Sequence, residues 1–162
     1  MNPAEIRLRA RFVVGPDAVH TDATLVIRQG RVATLRPPEP GDTDLGEVAL
    51  APGLINAHSH AFQRALRGRT EHLRAARPDE DFWSWRELMY RTANALDPDD
   101  VEAVSRMAFL EMALGGVTTV GEFHYLHHAP DGTPYADANE LAHRVIRAAR
   151  AVGLRVALLR VL

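Results

Sequence analysis

The 162-residue chain contains no cysteine. Disulfides and thiolate metal sites are therefore excluded, and a metal ion would have to be held by histidine and carboxylate. Long hydrophobic runs are missing too. None approaches the roughly 18 apolar residues that span a bilayer, and Met1 to Ala10 has no apolar core of signal-peptide length. The expectation is a cytoplasmic protein with no membrane partner. Neither sign of charge dominates: 19 Lys+Arg stand against 21 Asp+Glu, a formal net charge of -2. With its arginines spread along the chain, the protein is expected to have no nucleic-acid partner. There is no internal repeat and no low-complexity tract. What remains is an ordinary globular composition, 46% hydrophobic and 25% charged, in a chain long enough for one domain with a core.

Patterning changes near residue 50. Before it, Ile6, Leu8 and Ala10 alternate with Arg7, Arg9 and Arg11, the period of a half-buried strand. Thr24 to Ile27 and Arg31 to Leu35 flank Gln29-Gly30 as a hairpin would. A loop at Pro37 to Asp42 and a short strand at Glu47 to Leu50 complete a small antiparallel unit. After it, strand and helix alternate. Leu54 to His60 reads as a short buried strand, followed by a polar, arginine-rich connection from Ala61 to Asp81. Phe82 to Leu96 reads as helical. Asp97-Pro98-Asp99-Asp100 is a strong helix start, with Asp97 as cap and Pro98 in the first helical position. That helix runs to Leu114 and stops at Gly115-Gly116. Val117 to Tyr125 is a second strand. Asp137 can cap a helix with Leu141, Val145, Ala148 and Val152 on one face, and Leu154 to Leu162 reads as a final buried strand. Such alternation implies parallel βαβ units. A complete (β/α)8 barrel takes about 250 residues, so about three of its units fit.

The chemistry-bearing motif is His58-Ser59-His60, at the end of Leu54-Ile55-Asn56-Ala57 and behind the turn Ala51-Pro52-Gly53. Two histidines two apart on a strand share a face, so both imidazoles can grip one ion. Catalytic zinc normally takes three protein ligands and leaves a position for water. The pair supplies two.

Residues 51–60 resemble the first barrel strand of the amidohydrolase superfamily. Ala61-Phe62-Gln63-Arg64-Ala65, Asp81 to Tyr90 and Gly121 to His128 resemble its formimidoylglutamate deiminase family more narrowly. The resemblance implies an α/β fold. Residues 51–162 would be the first part of a metal-dependent (β/α)8 barrel, and 1–50 an antiparallel segment of the β-sandwich that precedes it. It implies hydrolysis of N-formimidoyl-L-glutamate to N-formyl-L-glutamate and ammonia, in histidine degradation, with one Zn2+ per active site. His58 and His60 would be metal ligands. Arg86, Gln63 and Tyr125 would bind the small dicarboxylate substrate, through guanidinium, amide and phenol. The family's third His ligand, metal-binding Asp and catalytic His and Glu lie on later strands, and nothing here matches those positions. No catalytic residue is assigned, and the lone chain is expected to bind zinc weakly and to be inactive.

Two other readings stand beside this one. The chain could belong to an amidohydrolase acting on a nucleobase or triazine, or be a non-catalytic remnant that homo-oligomerises through exposed sheet edges. His124, His127 and His128 are read as structural or pocket-rim residues rather than a second metal site. Glu122, inside a strand, is not read as catalytic. Arg64, Arg67, Arg69, Arg74 and Arg77 are read as a solvated loop.

Overall fold

Residues 5–70 and 82–161 are described in the computed structural model. The alternation from Ile6 onward produces β1 (Ile6–Val14), which pairs antiparallel with β2 (Val19–Arg28) in the register Ala10↔Ala23. The next strand, β3 (Arg31–Arg36), returns along β2 through Gln29-Gly30, both at positive φ (51° and 71°). That is the conformation a tight hairpin between right-twisted strands requires. The sheet is mixed rather than wholly antiparallel. Two short strands, β4 (Thr43–Asp44) and β5 (Ala49–Leu50), run parallel to β1, giving the order β3-β2-β1-β4 with β5 also on β1. The chain leaving β3 crosses to the far edge of β1 before it pairs, which reverses the direction that a further hairpin would give.

Ala10, Val13 and Ala23 form this unit's small core, with Leu25, Leu35 and Leu50 against it. The loop before β4 is held by Asp42. Its carboxylate accepts from both Arg36 guanidinium nitrogens at 2.9 and 2.8 Å, from Thr24 Oγ1 at 2.8 Å and from the Glu39 amide at 2.9 Å. Met1–Pro52 and Gly53–Leu162 are separate compact units.

In the second unit, β6 (Leu54–Ser59), β7 (Val117–His124) and β8 (Arg155–Arg160) form a parallel sheet in that order. A 3-10 helix (Ala61–Leu66), α1 (Phe82–Ala93) and α2 (Pro98–Leu114) lie between β6 and β7, and α3 (Glu140–Val152) lies between β7 and β8. The connection expected over Ala61 to Asp81 is thus helical at its start, and residues 71–81 lie outside the described residues. The start of α2 is a reciprocal capping box. Asp97 accepts from the Asp100 amide at 2.8 Å, and the Asp100 carboxylate accepts from the Asp97 amide at 3.3 Å. Asp137 does not cap α3. It accepts from the Asn139 amide at 2.8 Å, a turn of its own, and the helix opens three residues later, at Glu140.

Val101, Phe109, Val120, Val145 and Ala148 make the core between α2, α3 and β7. Burial along β7 alternates, with Val120, Glu122 and His124 buried and the residues between them half-buried. The two outer strands are less covered than their apolar sequences suggest. Leu54 is 60% exposed, Ile55 73% and Leu159 45%. β6 and β8 are the edges of a three-stranded sheet, with α2 packed on β7 and α3 on β8.

Candidate metal and substrate site

His58 lies in β6, and His60 is the residue immediately before the 3-10 helix. The β6–β7 ladder pairs Asn56 with Val120 and Ser59 with Glu122, so β6 carries one extra residue across Ala57 and His58. Gly121 makes room for it. A Cβ there would stand 2.8 Å from the Ala57 carbonyl oxygen.

His60 Nδ1 lies 2.9 Å from the carbonyl oxygen of Phe123. A carbonyl can only accept, so Nδ1 carries the proton and Nε2 keeps its lone pair. His58 Nε2 lies 3.2 Å from His60 Nε2. Two nitrogens bound at about 2.05 Å to one tetrahedral ion are roughly 3.3 Å apart. The His58 ring packs on Phe123 (centroids 4.5 Å apart) and the His60 ring on Tyr125 (5.0 Å).

Gln63, on the 3-10 helix, donates from Nε2 to Tyr125 Oη at 2.9 Å. Burial, ahead of any other cause, raises the Tyr125 phenol above its ordinary pKa, so it stays protonated and can donate. His58, His60, Gln63 and Tyr125 are therefore brought together. Arg86 is not in contact with them. It is exposed on α1, donates to Tyr90 Oη at 3.3 Å and stacks over the Tyr90 and Trp83 rings at 5.3 and 5.6 Å. Tyr90 links it to the cluster, since Tyr90 and Tyr125 line one cleft of about 500 Å³ with Asn94, His127 and His128.

Glu122 is 1% exposed, with Oε1 accepting from the Ala61 amide at 2.7 Å and Oε2 buried without a partner. Burial pushes its carboxyl up, against the opposing effects of Ala61, Ser59 and His60. A carboxylate inside a strand is itself the sequence signal for such a buried group, which needs specific partners. His124 is also buried. Burial, with the charges of His127 and Arg160 adding to it, lowers its pKa to about 4. His127 lies 2.6 Å from the Val161 carbonyl through Nε2. Arg64, half-buried on the 3-10 helix, is not a solvated loop residue, whereas Arg67 is exposed just past that helix. Both grip Glu111 of α2, Arg64 at 2.6 and 2.9 Å and Arg67 at 2.8 Å. Arg74 and Arg77 lie outside the described residues. Among the described residues no three His, Cys, Asp or Glu side chains form a metal-holding group, and no helix is long and apolar enough to cross a membrane.

Parallel strands with a polar cluster at their C-terminal ends are the layout of (β/α)8-barrel proteins. The chain belongs to the amidohydrolase family, which its residues 49–162 match. It is 47% identical over 135 residues to formimidoylglutamate deiminase of Pseudomonas aeruginosa, across 82% of this chain and 29% of that protein. It is 30% identical over 138 residues to 5-methylthioadenosine/S-adenosylhomocysteine deaminase of Nitratidesulfovibrio vulgaris, across 78% of the chain and 30% of that enzyme. Among solved structures, an amidohydrolase from Brucella melitensis superposes with a TM-score of 0.85 at 36% identity, over 95% of this chain and 34% of that one. An atrazine chlorohydrolase of Arthrobacter aurescens, complexed with zinc and atraton, superposes at 0.70 with 25% identity, over 96% and 35%. The chain thus spans about a third of the length of these relatives.

Proposed function

We propose that this chain contributes the first two metal ligands and part of the substrate pocket of a zinc-dependent deiminase. The reaction is N-formimidoyl-L-glutamate plus water to N-formyl-L-glutamate plus ammonia, in histidine degradation. The observation that carries the reading is the convergence of two histidine Nε2 atoms to 3.2 Å beside the Gln63–Tyr125 hydrogen bond. The 47% identity to formimidoylglutamate deiminase supports the substrate, and a zinc-bound relative supports the metal.

The donor set suits zinc: two imidazoles about one tetrahedral bite apart, one of them oriented by a carbonyl. His58 and His60 would hold the ion, which supplies Lewis-acid activation of water when bound. The chain's own side chains bind and orient. Arg86 can clamp a substrate carboxylate with two parallel N–H bonds, and Tyr90 holds its guanidinium in place beforehand. Gln63 donates to Tyr125, whose hydroxyl donates to Met89 Sδ at 3.4 Å, a weak acceptor that a substrate oxygen can replace. Residues 1–162 by themselves are expected to bind zinc weakly and to release no ammonia.

Steady-state ammonia release tests this. In a longer zinc-loaded protein containing residues 1–162, Arg86→Ala is expected to raise KM for formimidoylglutamate about 10- to 100-fold, the worth of one charged hydrogen-bonded pair. Preference for a triazine or an adenosine-type substrate would sink the substrate assignment. Turnover by 1–162 alone at the rate of a complete relative would sink the expectation of inactivity.

A further inference from the structure

We infer that Glu122 is a positioning residue for the metal-facing imidazole of His60, an inference that rests on the metal reading above. Glu122 touches neither ring nitrogen. Its carboxylate reaches across from β7 and takes the Ala61 amide at 2.7 Å, the peptide hydrogen directly after His60. The paired ladder ends at Ser59↔Glu122, so no strand bond fixes the chain beyond that point. The Glu122 side chain does so instead. The very next residue of β7, Phe123, receives His60 Nδ1 on its carbonyl at 2.9 Å. His60 is therefore held twice by consecutive residues, once at the ring and once at the peptide. Neither hold substitutes for the other. The carbonyl sets which nitrogen carries the proton, and the carboxylate sets where the residue's backbone stands.

The expense of the arrangement argues against a packing role. Glu122 lies on the same face of β7 as Val120, a core residue. A carboxylate at 1% exposure with one oxygen unpartnered costs stability that an apolar side chain there would not. An apolar residue, however, has no acceptor for the Ala61 amide. Ser59, its register partner, is itself 7% exposed, so water does not readily take over as acceptor.

Three variants separate positioning from folding. Glu122→Gln keeps an acceptor oxygen and removes the charge. Glu122→Leu removes the acceptor, and Glu122→Asp keeps the charge but shortens the reach. Zinc affinity of the longer protein containing residues 1–162 is measured by chelator competition, and the His60 ring tautomer by nitrogen NMR of its metal-free form. Glu122→Gln is expected to bind zinc within about threefold of the parent. Loss of the acceptor is expected to weaken zinc about 10- to 100-fold, the usual scale for groups that orient a ligand from behind, and, because the released backbone lets the His60 ring leave the Phe123 carbonyl, to mix the two His60 tautomers. Glu122→Asp carries the same expectation, so the test stands if the Leu variant does not fold. A Leu or Asp variant with parental affinity and a single tautomer would overturn the inference, as would a Gln variant as weak as Leu. A parent that binds no zinc would overturn the metal reading instead.

Discussion

At the scale of single residues, close approach decides the site. Gly121 stands opposite the extra residue of β6, and the atoms its Cβ would meet are the Ala57 carbonyl oxygen at 2.8 Å, the carbonyl carbon at 3.2 Å and Cα at 3.7 Å. All belong to backbone and cannot swing aside. Gly121→Ala is expected to part β6 from β7, at a cost of about 1–3 kcal/mol in urea unfolding. Zinc affinity should fall with it, because the displaced strand carries His58; unchanged stability would contradict the close contact. His58-Ser59-His60 was legible in the sequence because its geometry is local. The partners that orient it were not. Phe123 and Glu122 meet His60 and Ala61 across 63 and 61 residues of chain, and Glu111, which takes Arg64 and Arg67, lies 47 and 44 residues from them. Contacts of that range follow from topology and leave no periodic mark.

At the scale of elements, the same division holds. The start of α2 was readable because Asp97, Pro98 and Asp100 lie within one turn. Asp137 misled because an acid before an apolar-periodic run can also close a turn of its own, and here it accepts from Asn139. The parallel pairing of β4 and β5 was hidden because two-residue strands carry no period. Asp42 holds the loop that leads into them. It lowers its own pKa below the usual carboxylate range chiefly through Arg36, and its side chain is 1% exposed. Asp42→Ala would strand the Arg36 guanidinium, which is 20% exposed, and the buried Thr24 hydroxyl. The expected outcome is a lower midpoint in thermal or urea unfolding, with a larger drop than for Asp42→Asn, which keeps an acceptor. Equal effects would mean that the carboxylate charge and second oxygen account for the whole contribution and that the acceptor kept by asparagine adds nothing.

At the scale of the whole molecule, the strand–helix alternation after residue 50 was enough to place three parallel strands. It overstated their burial, since apolar composition does not say whether a strand is central or at an edge. Acid should unfold the protein in stages. His124 is neutral when folded, with a pKa of about 4 against 6.5 unfolded, so the unfolded chain binds the extra proton first. Its contribution is fully present above about pH 6.5 and is lost as pH falls toward 4, at most about 3 kcal/mol. Asp42, whose pKa is likewise depressed, adds its own loss below about pH 4 as its charged form is protonated. A melting temperature that stays flat between pH 6.5 and 4, or falls equally there in His124→Gln, would refute the His124 part. The same long reach from β7 back to the histidines has a consequence during synthesis. The pair leaves the ribosome some 61 to 63 residues before the strand that orients it. At roughly 5–20 residues per second that interval is about 3–12 s. Through those seconds His58 and His60 stand without the β7 contacts that fix the His60 ring and the peptide after it, so the site proposed above takes its geometry only once β7 has emerged and paired.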